Sequence, residues 1–322
     1  MWCGCKYISG RMQLRQWQRW FGILAVVIGV FWCFPKGVFG QTGEIFRMGF
    51  TQELFIDVNQ NDVGAVSRIL VNTFLEEGKI ETYSEPVVFE SISEIRDALS
   101  GRKVEALELT VGQFEQVQDL VADDVILCGV RSDSITEEYL LIVNENSNIE
   151  ALKDLNGRTI GMLTSVLASL AADWLDTLLL REGLERSSGF FGQIVKDPKA
   201  GNLLIPLFFG KLDACVVTRK AFDTMVELNP QTGKKLKVLD ASPPMVPVVF
   251  CFRKSYISPL RDQMIDRITR THLSPTGMQS LMVFQLDRME EQPISCLDSA
   301  LKLLSEYQKL LGGGGCELTE NR

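Results

Sequence analysis

From residue 45 the chain alternates between short strand-like runs and helix-like segments, the pattern that specifies an α/β fold with a mixed, mainly parallel sheet flanked by helices. Strand-like runs at 45–50, 87–90, 104–109, 125–130 and 139–143 enclose helical patterns at 62–77 and 91–100. In the first of these helices Val63, Val66, Ile69, Leu70 and Phe74 recur at the 3.6-residue period, and Gly78 stops it. A second block repeats the alternation. A turn at 148–157 leads to a strand at 159–163, and Thr164-Ser165 opens a long helix running to about residue 182, with Gly183 at its left-handed stop. A strand at 190–195 follows, then a helix containing Pro206 and ended by Gly210, then the strand 213–218, whose apolar run 214–217 must be buried on both faces. A helix at 221–228 and a strand at 236–239 complete the block.

The chain then returns. A strand at 246–252 followed by Arg253-Lys254-Ser255 mirrors 139–143 followed by Asn144-Glu145-Asn146, as a double crossover between two lobes would require. A length of 322 residues exceeds what one hydrophobic core usually supports. The expected organisation is therefore a first lobe from 41–145 and 247–311, a second lobe at 146–246, and a flexible tail at 312–322 that begins with four glycines. The two mirrored strands are expected side by side as the hinge. Residues 260–311 read as helical, ending in a helix capped at Ser295.

The first forty residues read as an address. A basic segment, Arg11 to Arg19, precedes an apolar run at 21–34 and the small-residue pattern before Gln41, the order of a cleaved export signal. The run is too short for a spanning helix, so the signal is expected at 1–40 and the mature protein in the periplasm. Basic residues number 33 against 41 acids, and five of the bases lie in that segment, which holds no acid. The remainder is therefore strongly acidic, which argues against a nucleic-acid partner. Any anion must be held by local donors. Of the cysteines past residue 40, Cys128, Cys215 and Cys251 sit in apolar runs and read as buried, with Cys296 and Cys316 beyond them. The single histidine, His272, has no clustered partner, which leaves no zinc site and no histidine-based nucleophilic mechanism. No metal or other cofactor is expected.

Two segments carry a family resemblance: Ile149-Glu150-Ala151-Leu152-Lys153-Asp154-Leu155-Asn156-Gly157-Arg158-Thr159-Ile160-Gly161, and Phe208-Phe209-Gly210-Lys211-Leu212-Asp213-Ala214-Cys215-Val216-Val217-Thr218. With Glu227-Leu228-Asn229-Pro230-Gln231 and Ala241-Ser242-Pro243-Pro244, in this order, the chain resembles the type II periplasmic solute-binding proteins of ABC importers. The likeness is to the phosphate, phosphite and phosphonate branch. That resemblance implies a two-lobed clamp, a small oxyanion as ligand, an ABC permease as membrane partner, a monomer and no catalysis.

Elementary chemistry points the same way. In open α/β sheets ligands bind beyond the carboxyl ends of strands, here Thr51-Gln52, Thr110, Thr164-Ser165 and Thr218. All carry hydroxyl or amide groups, and a helix start supplies free N–H donors to an anion without net positive charge. Where the family carries a histidine before the second segment, this chain has residues 196–202, in which Lys199 is the available cation. Two alternatives stay open: a ligand sensor that signals to a membrane kinase or regulator, and an exported enzyme that would have to work with carboxylates or a thiol alone.

Overall fold

The computed structural model describes residues 45–56, 62–76 and 86–313, so the expected export signal lies outside the described residues, as does the expected tail from residue 314 on; its first two residues, Gly312 and Gly313, end the last helix instead. Four strands come first: β1 (Met48–Thr51), β2 (Val87–Phe89), β3 (Ala106–Thr110) and β4 (Ile126–Val130). Five follow in the second block: β5 (Tyr139–Asn144), β6 (Thr159–Leu163), β7 (Gln193–Asp197), β8 (Ala214–Thr218) and β9 (Leu236–Ala241). The chain then returns through β10 (Val248–Phe252) and β11 (Arg288–Gln292). They form two sheets, ordered β11-β4-β10-β3-β1-β2 and β7-β6-β8-β5-β9, the α/β architecture of a two-lobed binding protein. Both sheets are mixed. Parallel pairing joins β1 to β2 and β3, and β6 to β7 and β8, while every join made by β5, β10 or β11 is antiparallel.

The chain crosses between the sheets at a different point from the one expected. The mirrored strands do not pair: β5 lies between β8 and β9 in the second sheet, and β10 between β3 and β4 in the first. The passage to the second sheet therefore precedes Tyr139 instead of following Glu145. What runs side by side are the two linkers, where Glu137 and Met245 exchange backbone hydrogen bonds of 2.8 and 2.9 Å. The physical reason is burial. Residues 139–143 are wholly buried and apolar, so they need neighbours on both edges and both faces, which a two-stranded connector cannot supply.

Three helical expectations also change. The long helix expected from Thr164-Ser165 is a three-residue 3₁₀ turn, Val166–Ala168, followed by a separate α-helix Ala171–Arg181. The region 260–311 is not continuously helical. After helices Pro259–Arg270 and Pro275–Val283, Gln285 takes a left-handed φ of 55° and the chain enters β11, an edge strand whose only buried side chain is Met289. Its Arg-Met-Glu-Glu-Gln sequence has little strand preference, and the β4 ladder supplies the pairing. Ser295 sits in a 3₁₀ turn, Ile294–Leu297, and the last helix runs Asp298–Gly313. That helix does not belong to the first lobe alone. It ties to the second-block helix Ala171–Arg181 through an Arg181–Glu306 bidentate pair at 2.6 and 2.7 Å, and its Tyr307 hydroxyl lies 3.2 Å from the Asp176 carboxylate beside it.

Cys128, Cys215 and Cys251 are buried, as their apolar surroundings implied, and Cys296 is half-buried. The largest core runs continuously from Leu107 and Leu109 of the first sheet through Leu141 and Val217 of the second to Leu297 and Ala300. Two packed sheets held to one core are a base on which the loops beyond the strand ends can be fixed.

Candidate functional site

A cavity of about 470 Å³ opens between loops of the two blocks. Three second-sheet strand ends build one wall: Ser165, Val166 and Leu167 after β6, Pro198, Ala200 and Gly201 after β7, and Thr218, Lys220 and Ala221 after β8. Phe284 and Gln285, between helix Pro275–Val283 and β11, also line it, together with Arg131 and Glu137 of the outgoing linker and Met225 of helix Arg219–Leu228.

Each wall residue is placed by a local rule. Ser165 precedes the 3₁₀ turn with extended backbone, and its hydroxyl makes no cap bond, so that hydroxyl is free of the role expected for it. Thr218 does cap: its Oγ accepts from the Ala221 N–H at 3.4 Å at the start of helix Arg219–Leu228. Arg131 follows β4 in a tight hairpin turn with Ser134, whose two central residues, Ser132 and Asp133, have φ of 47° and 60°. A primed turn favours that left-handed pair, normally with Asn or Gly. Asp287 steadies it by accepting the Ser132 N–H at 2.6 Å.

The electrostatics are concentrated at the linker. The Arg131 guanidinium donates to the Phe284 carbonyl at 3.4 Å, and its Nε is buried with no partner. Burial lowers the Arg131 pKa, while Glu137, Glu108 and Asp287 act against that shift. Lys220 reaches the Arg131 carbonyl at 2.8 Å. Burial pushes the Glu137 carboxyl above its ordinary range, with Lys220 and Arg131 pulling it back, and raises that of Glu108 on β3 to about 7 against the pull of Arg131. Two cations and two reluctant carboxyls thus share one poorly solvated region.

Of the residues expected from sequence, Ser165 and Thr218 line the cavity, and the others do not. Thr164 lies beside Ser165, its N–H donated to the Asp197 carbonyl at 3.1 Å. Lys199 is exposed, and its N–H is spent on the Asp197 carboxylate at 2.7 Å. Gln52 lies in the 3₁₀ turn Gln52–Phe55, which packs against the turn Val166–Ala168. Thr51, just before it, is 1% exposed with an unpartnered hydroxyl. Thr110 starts the helix Val111–Val117, its N–H donated to the Gln113 carboxamide at 3.2 Å and its hydroxyl to the Glu53 carboxylate at 3.5 Å. Arg131 and Lys220 are what residue-type reasoning about strand ends missed. One signal was present: Arg131 directly follows an apolar strand, a place where a solvated arginine is not needed.

Residues 63–293 match the family model of the phosphonate periplasmic substrate-binding proteins of ABC transporters. The chain belongs to this family. Its members are substrate-binding proteins. The fold is also that of solved structures at low identity. XAC2383 from Xanthomonas citri, bound to chloride, is 13% identical with a TM-score of 0.58, over 84% of this chain and 99% of that one. The binding protein component of an ABC phosphonate transporter from Pseudomonas aeruginosa, PA3383, is 13% identical with a TM-score of 0.57, over 86% and 91%. PhnD1 from Prochlorococcus marinus, in complex with methylphosphonate, is 12% identical with a TM-score of 0.54, over 83% and 99%. No curated protein matches the chain.

Proposed function

We propose that this family member is the exported receptor of an ABC importer and captures an oxyanion of the phosphate, phosphite or phosphonate class in the cavity between its two lobes. The observation that carries the reading is Arg131, half-buried, whose Nε is buried without a partner, in a cavity that Ser165, Thr218 and Lys220 also line. A partly desolvated guanidinium binds an oxyanion more strongly than a surface lysine does, because its charge is less screened by water and its donors form a fixed fork. The acidic remainder of the chain repels anions at long range, so such a local cluster is what recognition requires.

The cavity's size and lining refine the ligand. A bare oxyanion fills a small part of about 470 Å³, and Val166, Leu167, Met225 and Phe284 offer apolar surface beside the polar groups. An oxyanion with an organic arm, as in a phosphonate, satisfies both halves. The ligand then passes to a membrane permease, and the segment 1–40 directs the chain to the periplasm and is removed. The linkers joined at Glu137 and Met245 absorb the rotation when the lobes close.

A thermal-shift panel of phosphate, phosphite, alkyl- and aminoalkylphosphonates and sulfonates tests this. A ligand at a hundred times its dissociation constant stabilises by about 2.7 kcal/mol. The reading predicts such a shift for at least one phosphorus oxyanion, lost in Arg131→Gln. A panel without any shift, or a shift that Arg131→Gln keeps in full, defeats it.

A further inference from the structure

We propose that a second cavity, which meets the first along Glu137, Lys220 and Thr224, binds a linear diamine, one ammonium against Glu137 and the other against Asp223 and Glu227. This cavity, of about 500 Å³, is lined by the linker between residues 132 and 138, by helix Arg219–Leu228 and by Pro244 of the returning linker. Four carboxylates, Glu137, Glu138, Asp223 and Glu227, stand in that lining against two cations, Arg219 and Lys220. Both cations are engaged. The Arg219 guanidinium makes a bidentate pair with Glu138, its Nη2 donating to Oε1 at 2.7 Å, and the Lys220 ammonium donates to the Arg131 carbonyl at 2.8 Å. The first of these pairs also uses up Glu138. Glu137, Asp223 and Glu227 are left as the acceptors of the cavity.

Glu137 distinguishes this place from an acidic patch of surface. It is 5% exposed, and its backbone is fixed by the two hydrogen bonds exchanged with Met245. Among the described residues no hydrogen bond or ion pair reaches its carboxylate, on which Lys220 and Arg131 act only at longer range. A buried carboxyl without a donor is costly unless something supplies one. Burial favours its neutral form, and an ammonium placed against it favours the charged one.

The lining selects the kind of cation. No three His, Cys, Asp or Glu side chains among the described residues converge closely enough to hold a metal ion, and about 500 Å³ is far more than one ion fills. Pro244 is the one apolar residue of the lining, so a largely hydrocarbon ligand gains little there. Asp223 and Glu227 are exposed and four residues apart on helix Arg219–Leu228, hence neighbours on one face. One buried acceptor and an exposed pair suit a ligand with positive charge at both ends of a flexible spacer. An ammonium carries three donors and no acceptor, which matches a site made of carboxylates.

Because Glu137, Lys220 and Thr224 belong to both cavities, their occupation is coupled. An ammonium at Glu137 and an oxyanion beside Arg131 attract each other across one poorly solvated wall, so each raises the affinity of the other by the same factor. The coupling rests on the oxyanion reading; the amine site does not.

The test is a calorimetric titration of the full chain with 1,4-diaminobutane and, separately, with 1-aminobutane, at an ionic strength fixed with sodium chloride. One diamine should bind per chain, and the monoamine several-fold more weakly. Glu137→Gln keeps the shape of the side chain and should weaken the diamine at least tenfold. Asp223→Asn with Glu227→Gln, both at exposed positions, should weaken it about threefold. With the oxyanion identified by thermal shift already bound, diamine affinity should rise about fivefold. No saturable binding, or equal affinity in Glu137→Gln, would overturn the proposal. An oxyanion response without a diamine response defeats the amine site alone, and a diamine response without any oxyanion defeats the oxyanion reading alone.

Discussion

The strand ends of the two sheets began as equals and ended differently. Thr51 and Thr110 close β1 and β3 of the first sheet, and Leu163 and Thr218 close β6 and β8 of the second, with Ser165 two residues beyond β6. All four hydroxyl-bearing positions sit where an α/β sheet delivers its ligand contacts. In the first sheet those contacts are consumed or sealed: Thr110 is committed to Gln113 and Glu53, and Thr51 is buried behind the turn that packs on residues 166–168. In the second, Ser165 is left without a cap to make because the chain turns through 3₁₀ geometry there, and Thr218 borders open space while it caps. Strand-end position alone does not bring a hydroxyl to the cavity; the packing of the turn that follows decides whether it borders open space.

Removing the Arg131 charge should have the largest effect. Arg131→Gln should lower affinity for the anion found by the panel about 100-fold, read by calorimetry, since it removes a charged donor from a desolvated site. Equal affinity in the variant would move the site away from the linker.

The pH dependence of stability comes next. Burial raises the carboxyl of Glu108 to about 7 and that of Asp173 to about 6, and raises Glu137 as well. These groups keep their protons in the folded state after the unfolded chain has lost them. Stability should therefore fall as pH rises from about 4.5 to 7, by roughly 2–3 kcal/mol for Glu108. Glu108→Gln should flatten that slope in urea titrations between pH 5 and 8. An unchanged slope would mean that the carboxyl is ionised in the folded protein.

Hydroxyl removal should separate the strand ends of the two sheets. Ser165→Ala combined with Thr218→Val should reduce affinity at least tenfold, at about 1 kcal/mol of stability for the lost Thr218 cap. The matching pair in the first sheet, Thr51→Val with Thr110→Ser, should leave affinity within about threefold. Reversal of that order would show that the first sheet holds the anion. The smallest effect is at Thr51 alone. Its hydroxyl is buried without a partner, so Thr51→Val should leave stability unchanged or raise it by up to about 1 kcal/mol in thermal unfolding. A loss of more than 1 kcal/mol would point to a bond that the hydroxyl makes in solution.

The alternation of periods and the return of the chain at residue 246 determined the α/β class and the two-block architecture, because hydrophobic periodicity is a local property that burial enforces residue by residue. The same logic placed Cys128, Cys215 and Cys251 in the core and put Ser165 and Thr218 at the ends of elements facing a cleft. Tertiary structure alone decided the rest. β5 pairs with β8 and β9 and not with β10, which leaves Glu137 and Met245 bridged on the two linkers between the sheets. A polar stretch becomes the edge strand β11 because β4 offers it a ladder. Arg131 meets Lys220, Ser165 and Thr218 only after the two blocks have been folded onto one core. Contacts between residues far apart in the chain depend on which strands pair, and strand pairing is settled by burial on both edges and both faces at once, a condition that no local window of sequence contains.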